Sequence, residues 1–469
     1  MARTGRVVVA ITSVLVLAAA GYGTADALDL VPGVLTTAPA PEQAAPFPVA
    51  PGSVSAPVAI DLPLELDPTT PMPDPTTVQG WANSLASDGR LGSSAGIEVT
   101  DILTGTVLAE ASATKPRVPA STAKLFTAAA ALTVLGADRT LQTALVEGEP
   151  GQLVLVAGGD ALLAEGVGDP EATVGHAGLA DLAAQAAVVL RGAGRTTVTL
   201  AVDDTLFSGP SLHADWVRSD IAAGYVAAIA PLEVDVAKTR PDEEYPPRYA
   251  DPAMQATRQL AAALEAEGLT VDGAPTRAPS PERGLEIARV ESAPVSDVVA
   301  HMLEVSDNTL AEVIGRLVAV ERGLPGSFDG ATTAIQEVVG GLMDVTGVSL
   351  RDCSGLSARS RVPASALVDL VQVATTVPTL RAVTLDVPVG GWKGTLGGRF
   401  LSGAAQGLVR AKTGSLPGVT ALAGTVQTVD GRFLAFAVLA DATSSTGQWG
   451  PRAAIDEFIA RLADCGCSG

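Results

Sequence analysis

The stretch P-A-S-T-A-K-L-F-T-A-A-A-A-L, residues 119–132, decides how this chain is read. A serine and a lysine stand three apart at the start of a run that is apolar on every side, far too short to span a membrane, and ended by Gly136. The pattern predicts a buried helix from Leu125 to Leu135. Side chains three apart share a helix face, so the Lys124 amine is expected within reach of the Ser121 hydroxyl. Burial among alanine, leucine and phenylalanine disfavours the ammonium and lowers its pKa, making Lys124 a candidate base for a Ser121 nucleophile. Arginine stays protonated and does not suit that task. The chain has only five lysines, at 115, 124, 238, 393 and 412, against 25 arginines, so lysine is not its default cation.

Two short motifs lie downstream. Ser306-Asp307-Asn308 sits between two amphipathic helical stretches that run from Val295 to Val320, and Asn308 is one of only two asparagines in the chain. Such residues also cap helices, and Asp307 is assigned that role or a solvated one. L-V-R-A-K-T-G-S-L-P-G-V, residues 408–419, puts Lys412-Thr413-Gly414 after a strand-like run. Glycine lets a substrate backbone approach an edge strand, while Lys412 and the Thr413 and Ser415 hydroxyls suit a carboxylate. Each motif alone is weak. The order Ser-x-x-Lys, Ser-x-Asn, Lys-Thr-Gly is the set that penicillin-binding proteins and serine β-lactamases carry.

Around these motifs, residues 97–110 alternate about Thr104-Gly105 and read as a hairpin. Between 140 and 285 the pattern changes to short strands at 153–157 and 197–202, with helices near 178–190 and 253–266, which reads as an inserted α/β unit. After Gly407, V-T-A-L-A-G-T-V-Q-T and R-F-L-A-F-A-V-L-A form a second hairpin through Asp430-Gly431, and a last helix, about Ala453 to Leu462, covers the sheet.

Net charge is −21 and the pI about 4.5, a field that repels phosphate backbones and excludes a nucleic-acid partner. The amino terminus has an apolar run from Val7 to Ala20 and a small-x-small site at Ala25-Asp26-Ala27. Export is expected, with residues 1–27 a cleaved signal peptide or an uncleaved membrane anchor. Twelve prolines between Leu28 and Thr77 favour a disordered spacer over residues 28–77. That leaves 78–139 and 286–469 for the catalytic domain and 140–285 for the insertion. Cys353, Cys465 and Cys467 allow one disulfide and a leftover thiol, with Cys353 joined to either tail cysteine or Cys465 joined to Cys467. His176, His213 and His301 have no ligand spacing, so neither metal nor cofactor is expected.

The three motifs make the chain resemble the low-molecular-mass penicillin-binding proteins of the D-alanyl-D-alanine carboxypeptidase/endopeptidase type, serine peptidase family S13. The likeness runs from about Gly96 to Ala440. It includes A-G-G-D-A-L-L at 157–163, Y-V-A-A-I-A-P-L-E-V-D at 225–235, S-D-N-T-L-A-E at 306–312, D-C-S-G-L-S at 352–357 and G-T-L-G-G-R-F at 394–400. Members often have proline at the position of Ala161, glycine at Cys353 and asparagine at Asp441.

The resemblance implies an α+β fold, a five-stranded antiparallel sheet with helices on both sides, interrupted by the insertion. It implies acyl transfer in the extracytoplasmic cell-wall space on peptidoglycan stem peptides ending in D-Ala-D-Ala, with β-lactam antibiotics as covalent inhibitors. Ser121 is then the nucleophile and Lys124 its base, and the Ser121 and Ser415 amides form the oxyanion hole. Ser306, close to Lys124, relays a proton to the leaving D-alanine, Asn308 orients the substrate backbone, and Lys412, Thr413, Gly414 and Ser415 bind the terminal carboxylate. Membrane contact is confined to an N-terminal anchor, if one is kept.

The alternatives are an inactive wall-binding protein on the same scaffold, or a β-lactamase. The latter would typically need an E-x-x-L-N loop for fast deacylation, and this chain has no such string. Gly92-Ser93-Ser94-Ala95-Gly96 mimics an esterase elbow but precedes a strand, so Ser94 is read as loop, and His301 as a packed helix histidine.

Overall fold

A helix, Pro75–Ala86 (α1), starts inside the proline-rich stretch expected to be a spacer. Asp74 accepts from the amides of Thr76 and Thr77, and Pro75 occupies the first turn, where its missing N–H costs nothing. The boundary predicted at 77 is therefore corrected: prolines that resemble a linker here start a helix. This computed structural model describes Tyr22, Thr24 and residues 66–445 and 447–465. Most of the expected leader and of the spacer, and Cys467, fall outside the described residues. All elements below belong to one unit, Pro63–Gly469.

Ala95–Asp101 (β1) and Val107–Ala111 (β2) form the predicted hairpin, and one 3-10 turn, Ala120–Ala123, leads into the helix Lys124–Val134 (α2). A second set of elements follows: Gln142–Glu147 (β3), Gln152–Val156 (β4), Asp160–Leu163 (β5), Leu179–Gly192 (α3), Thr197–Asp203 (β6), Leu232–Val234 (β7), Pro252–Ala266 (α4), Thr270–Val271 (β8), Thr276–Arg277 (β9) and Glu286–Glu291 (β10). The chain then returns through Val295–Val305 (α5), Asn308–Glu321 (α6), Phe328–Gly340 (α7) and Ala364–Thr376 (α8). It closes with Val409–Leu416 (β11), Val419–Gln427 (β12), Phe433–Ala440 (β13) and Trp449–Ala463 (α9). The last helix starts before Pro451, which its first turn accommodates. Among the described residues no single helix is long and apolar enough to cross a membrane.

The five-stranded antiparallel sheet has the order β11-β12-β13-β1-β2, so the first and last strands of the catalytic unit pair in it. Helices cover both faces, and β12 is accordingly buried along nearly its whole length. Alternation sorts side chains by size. Ala421, Ala423, Ala435 and Ala437 face the core that contains α2 and α8, whereas Leu422, Leu434, Phe436 and Val438 face α1 and α9. Small side chains on the α2 side let the helix that starts beside Ser121 approach the sheet closely.

The inserted unit has its own core and a six-stranded sheet, with β10-β3-β4-β6-β8 in order and β9 also on β6. Its boundary at 285 is corrected as well. β10 belongs to this sheet, pairing antiparallel with β3 so that Glu291 lies opposite Gln142. The strings at 157–163 and 225–235 contain β5 and β7, which form a separate parallel pair. That pair packs on α6, where a Cβ at Gly159 would lie 2.5 Å from Leu317.

A buried ion pair ties the sheet to the segment before α1. Arg432 donates to both carboxylate oxygens of Asp101, at 2.6 and 2.7 Å, and to the carbonyl of Thr70 at 3.1 Å. Burial alone would raise the Asp101 pKa, yet the bonds from Arg432 and Thr104 hold it below its usual value. Arg432→Ala leaves that carboxylate unpaired in the interior and is expected to lower the unfolding free energy by about 3–5 kcal/mol in chemical denaturation.

Candidate active site

Ser121 lies in the turn that enters α2. Ala120 before it has φ +46°, a conformation side-chain-bearing residues avoid, so its surroundings must hold the turn. Two glycines do this. A Cβ at Gly355 would lie 1.9 Å from the Ala120 carbonyl oxygen, and one at Gly414 would lie 2.7 Å from that of Pro119.

Lys124 is fully buried. Its Nζ donates to Ser121 Oγ at 3.0 Å, Asn308 Oδ1 at 2.6 Å and the Ser354 carbonyl at 2.8 Å, one acceptor for each ammonium proton. Burial pushes its pKa down to about 8, against the pull of the Asp307, Asp352 and Glu312 carboxylates. Loss of one proton therefore leaves a lone pair available beside a serine hydroxyl, the arrangement general-base activation requires.

The carbonyl of Ser354 is itself held in place. Asp352 accepts from the amides of Gly355 and Ser357 and from Trp216 Nε1. Glu312, wholly buried on α6, accepts from the Cys353 amide at 3.1 Å and the Ser354 amide at 2.8 Å. Burial, with the Asp352 charge beside it, raises the Glu312 pKa. Both residues belong to strings quoted from the sequence, but nothing in the pattern gave Glu312 this task.

Helix α5 ends at Ser306 in a left-handed conformation, φ +62°, and α6 starts two residues on. Asp307 caps α6 through the Leu310 amide at 2.8 Å, which leaves Ser306 and Asn308 to the cleft. Ser306 was expected close to Lys124. Its hydroxyl bonds instead to the other lysine, accepting from Lys412 Nζ at 2.8 Å. Lys412 also donates to its neighbour's carbonyl, that of Thr413, at 3.1 Å. Burial, with Lys124 adding a like charge, pushes Lys412 well below the usual lysine value.

On β11, Gly390 donates to the Val409 carbonyl and Ala411 donates to that of Pro388, so odd-numbered residues direct their peptide groups away from β12. Continued along the strand, this turns the Thr413 and Ser415 amides toward the cleft. Ser121, Ser306, Asn308, Thr413, Gly414 and Ser415 all line one cleft of about 990 Å³, while Lys124 and Lys412 lie buried behind its wall. The opposite wall comes from the insertion, through Tyr225, Asp235, Val236, Lys238, Tyr245 and Arg248. Tyr225 is the direct link, its carbonyl accepting from Asn308 Nδ2 at 2.9 Å.

The Gly92–Gly96 decoy falls elsewhere. Ser94 donates to Asp441 at 2.5 Å and accepts from Arg117 at 3.2 Å, so its hydroxyl is committed to bracing the loop before Ser121. His301 lines the cleft with its pKa lowered by burial. Cys353 is free and buried with its thiol pKa raised, whereas Cys465 is disulfide-bonded. The pairing of Cys353 with a tail cysteine is thereby corrected: its sulfur is packed against Gly315 in the core.

Comparison with known proteins identifies the family and the fold. The D-Ala-D-Ala carboxypeptidase 3 (S13) family profile matches residues 79–245 and 236–462. Carboxypeptidase DacB of Mycolicibacterium smegmatis is 38% identical over 423 residues, 87% of each chain. The D-alanyl-D-alanine carboxypeptidase of Actinomadura sp. is 30% identical over 80% of this chain and 82% of its own. Among solved structures, penicillin binding protein 4 (dacB) from Haemophilus influenzae superposes with a TM-score of 0.67 at 23% identity, over 82% of this chain and 98% of its own, and shares the fold.

Glu312→Ala would strip the only side-chain acceptor described for the buried Cys353 and Ser354 amides. It is expected to cost at least about 2 kcal/mol of stability by chemical denaturation.

Proposed function

Because the chain belongs to the D-Ala-D-Ala carboxypeptidase 3 (S13) family, we propose that it is a serine-type D-Ala-D-Ala carboxypeptidase acting on peptidoglycan stem peptides through a Ser121 acyl-enzyme. The observation that carries this reading is the buried Lys124 amine, 3.0 Å from Ser121 Oγ at the cleft wall. Relatives with the name D-alanyl-D-alanine carboxypeptidase support it.

Neutral Lys124 takes the Ser121 proton as Oγ attacks the penultimate carbonyl. The amides of Ser121 and Ser415 receive the developing oxyanion, the latter on the strand edge turned to the cleft. The C–N bond then breaks, and the proton held at Lys124 passes to the departing amine, with Ser306 as relay and Lys412 holding the Ser306 hydroxyl in place. Asn308 keeps the Lys124 amine directed at Ser121 and orients the substrate backbone. Water, deprotonated by Lys124, releases the shortened peptide and restores Ser121. Cleavage of D-Ala cross-links needs only a different leaving amine, so D,D-endopeptidase activity follows from the same steps. A penicillin presents its carbonyl in a strained ring, whose opened amine stays tethered and blocks water. Stem peptides and penicillins meet this site in the extracytoplasmic cell-wall space.

Intact mass of the protein after exposure to benzylpenicillin should show a long-lived penicilloyl adduct that Ser121→Ala lacks. An adduct on the alanine variant, or none on the folded parent, would overturn the assignment. Lys124→Arg preserves the charge but removes the base, and D-alanine release should fall by about 10²–10⁴-fold. Since Lys124 works only when neutral, the acylation rate should rise with pH through about 8.

A further inference from the structure

We propose that Arg452 is the residue that reads the substrate's terminal carboxylate, together with the Thr413 and Ser415 hydroxyls. This rests on the carboxypeptidase reading and changes which cation serves it. Lys412 is fully buried and already donates to Ser306 and the Thr413 carbonyl, so two of its three ammonium protons are committed within the wall.

Arg452 does reach the cleft, and its Nη2 donates to Ser415 Oγ at 3.2 Å. Its position is built by the start of α9. The Gln448 amide group donates to the Leu416 carbonyl at 2.9 Å and its oxygen takes the Thr420 hydroxyl, while the Gln448 backbone carbonyl accepts the Arg452 amide at 3.0 Å. The first turn of α9 is thus clamped to the hairpin β11-β12, with Arg452 beside Ser415.

Arg452 is a cleft-lining arginine with no ion-paired carboxylate among the described residues. Asp456, one helical turn on, is the carboxylate placed to neutralise it. Arg399 takes that carboxylate instead, with Nε at 3.1 Å from both oxygens and Nη2 at 2.5 Å from one. Among the described residues Arg452 has no carboxylate within ion-pair distance, in a protein of net charge −21. Burial lowers its pKa, as does the neighbouring Arg399 charge, against the pull of the Asp456 carboxylate.

Side chains of Thr413 and Ser415 lie on one face of β11 by the two-residue period. Thr413 Oγ1 shares a hydrogen bond with Thr395 Oγ1 at 2.8 Å, which fixes its rotamer. A carboxylate bound across these two hydroxyls meets the Arg452 guanidinium beside Ser415, where a planar fork suits its two oxygens.

The test compares Arg452→Ala, Arg452→Gln and Arg452→Lys with the parent, on a peptide ending in free D-Ala-D-Ala and on its C-terminal carboxamide. The same set is measured for acylation by benzylpenicillin and by its methyl ester. Arg452→Ala should lose at least about tenfold in kcat/KM on the free acids, mostly through KM, with little change on the amide or ester. Arg452→Lys should recover part of that loss. An unchanged acid-to-amide ratio in Arg452→Ala, or in Arg452→Gln should the alanine variant not fold, overturns the role. A parent that neither releases D-alanine nor forms a penicilloyl adduct overturns the carboxypeptidase reading itself, and this proposal with it.

Discussion

The structure around the cleft depends on keeping one ammonium group out of water. A buried cation is unfavourable unless every proton finds an acceptor, and Lys124 finds three. Each acceptor comes from a different part of the chain. Ser121 is on the same turn, Asn308 starts α6, and Ser354 lies in a loop pinned by Glu312 and Asp352. Even with these partners, the amine is shifted by burial toward the neutral form. The same desolvation that makes Lys124 awkward to fold makes it usable as a base. The alanine face of the sheet and the glycines at 355 and 414 are the packing that brings the serine turn close enough.

The second lysine follows a parallel logic with a different partner. Lys412 lies on β11, buried, and donates to Ser306 and to the Thr413 carbonyl. Two buried cations close to each other disfavour double protonation, and the Lys124 charge lowers the readiness of Lys412 to hold a proton. A wall in which one lysine faces the nucleophile and the other faces a second hydroxyl is suited to moving a proton across the cleft. Acidic groups also line the cleft, with Asp235 from the insertion, Glu304 from α5 and Asp307 at the α5–α6 junction.

Much of this was legible where the signal was local. The i, i+3 spacing of Ser121 and Lys124, the alternation of β12 and β13 and the apolar run of α2 each depend on a few neighbouring residues, and they fold as their periods say. What escaped depends on distant pairing or on backbone atoms. β10 is a short, polar-looking strand, E-I-A-R-V-E, recognisable only once β3 lies beside it. The Tyr225 and Ser354 contacts use carbonyl oxygens, which every residue has, so no residue type announces them. The prolines before Thr77 favour both a spacer and a helix start, and only Asp74 capping separates the two. Ser306 carries a signal that its spacing cannot express: a left-handed φ sends its hydroxyl toward Lys412.

The insertion leaves the catalytic frame on β3 and rejoins it on β10, and these strands are hydrogen-bonded neighbours. A detour that departs and returns at one place imposes almost no geometric condition on the body it interrupts. The inserted unit nevertheless reaches back to the cleft and supplies one wall, including the carbonyl that meets Asn308. Chemistry and recognition are thus carried by segments with separate constraints. Selection can recut the recognising wall, lengthening a loop or exchanging a charge there, while the lysine, serine and glycine packing that makes the acyl-enzyme stays untouched.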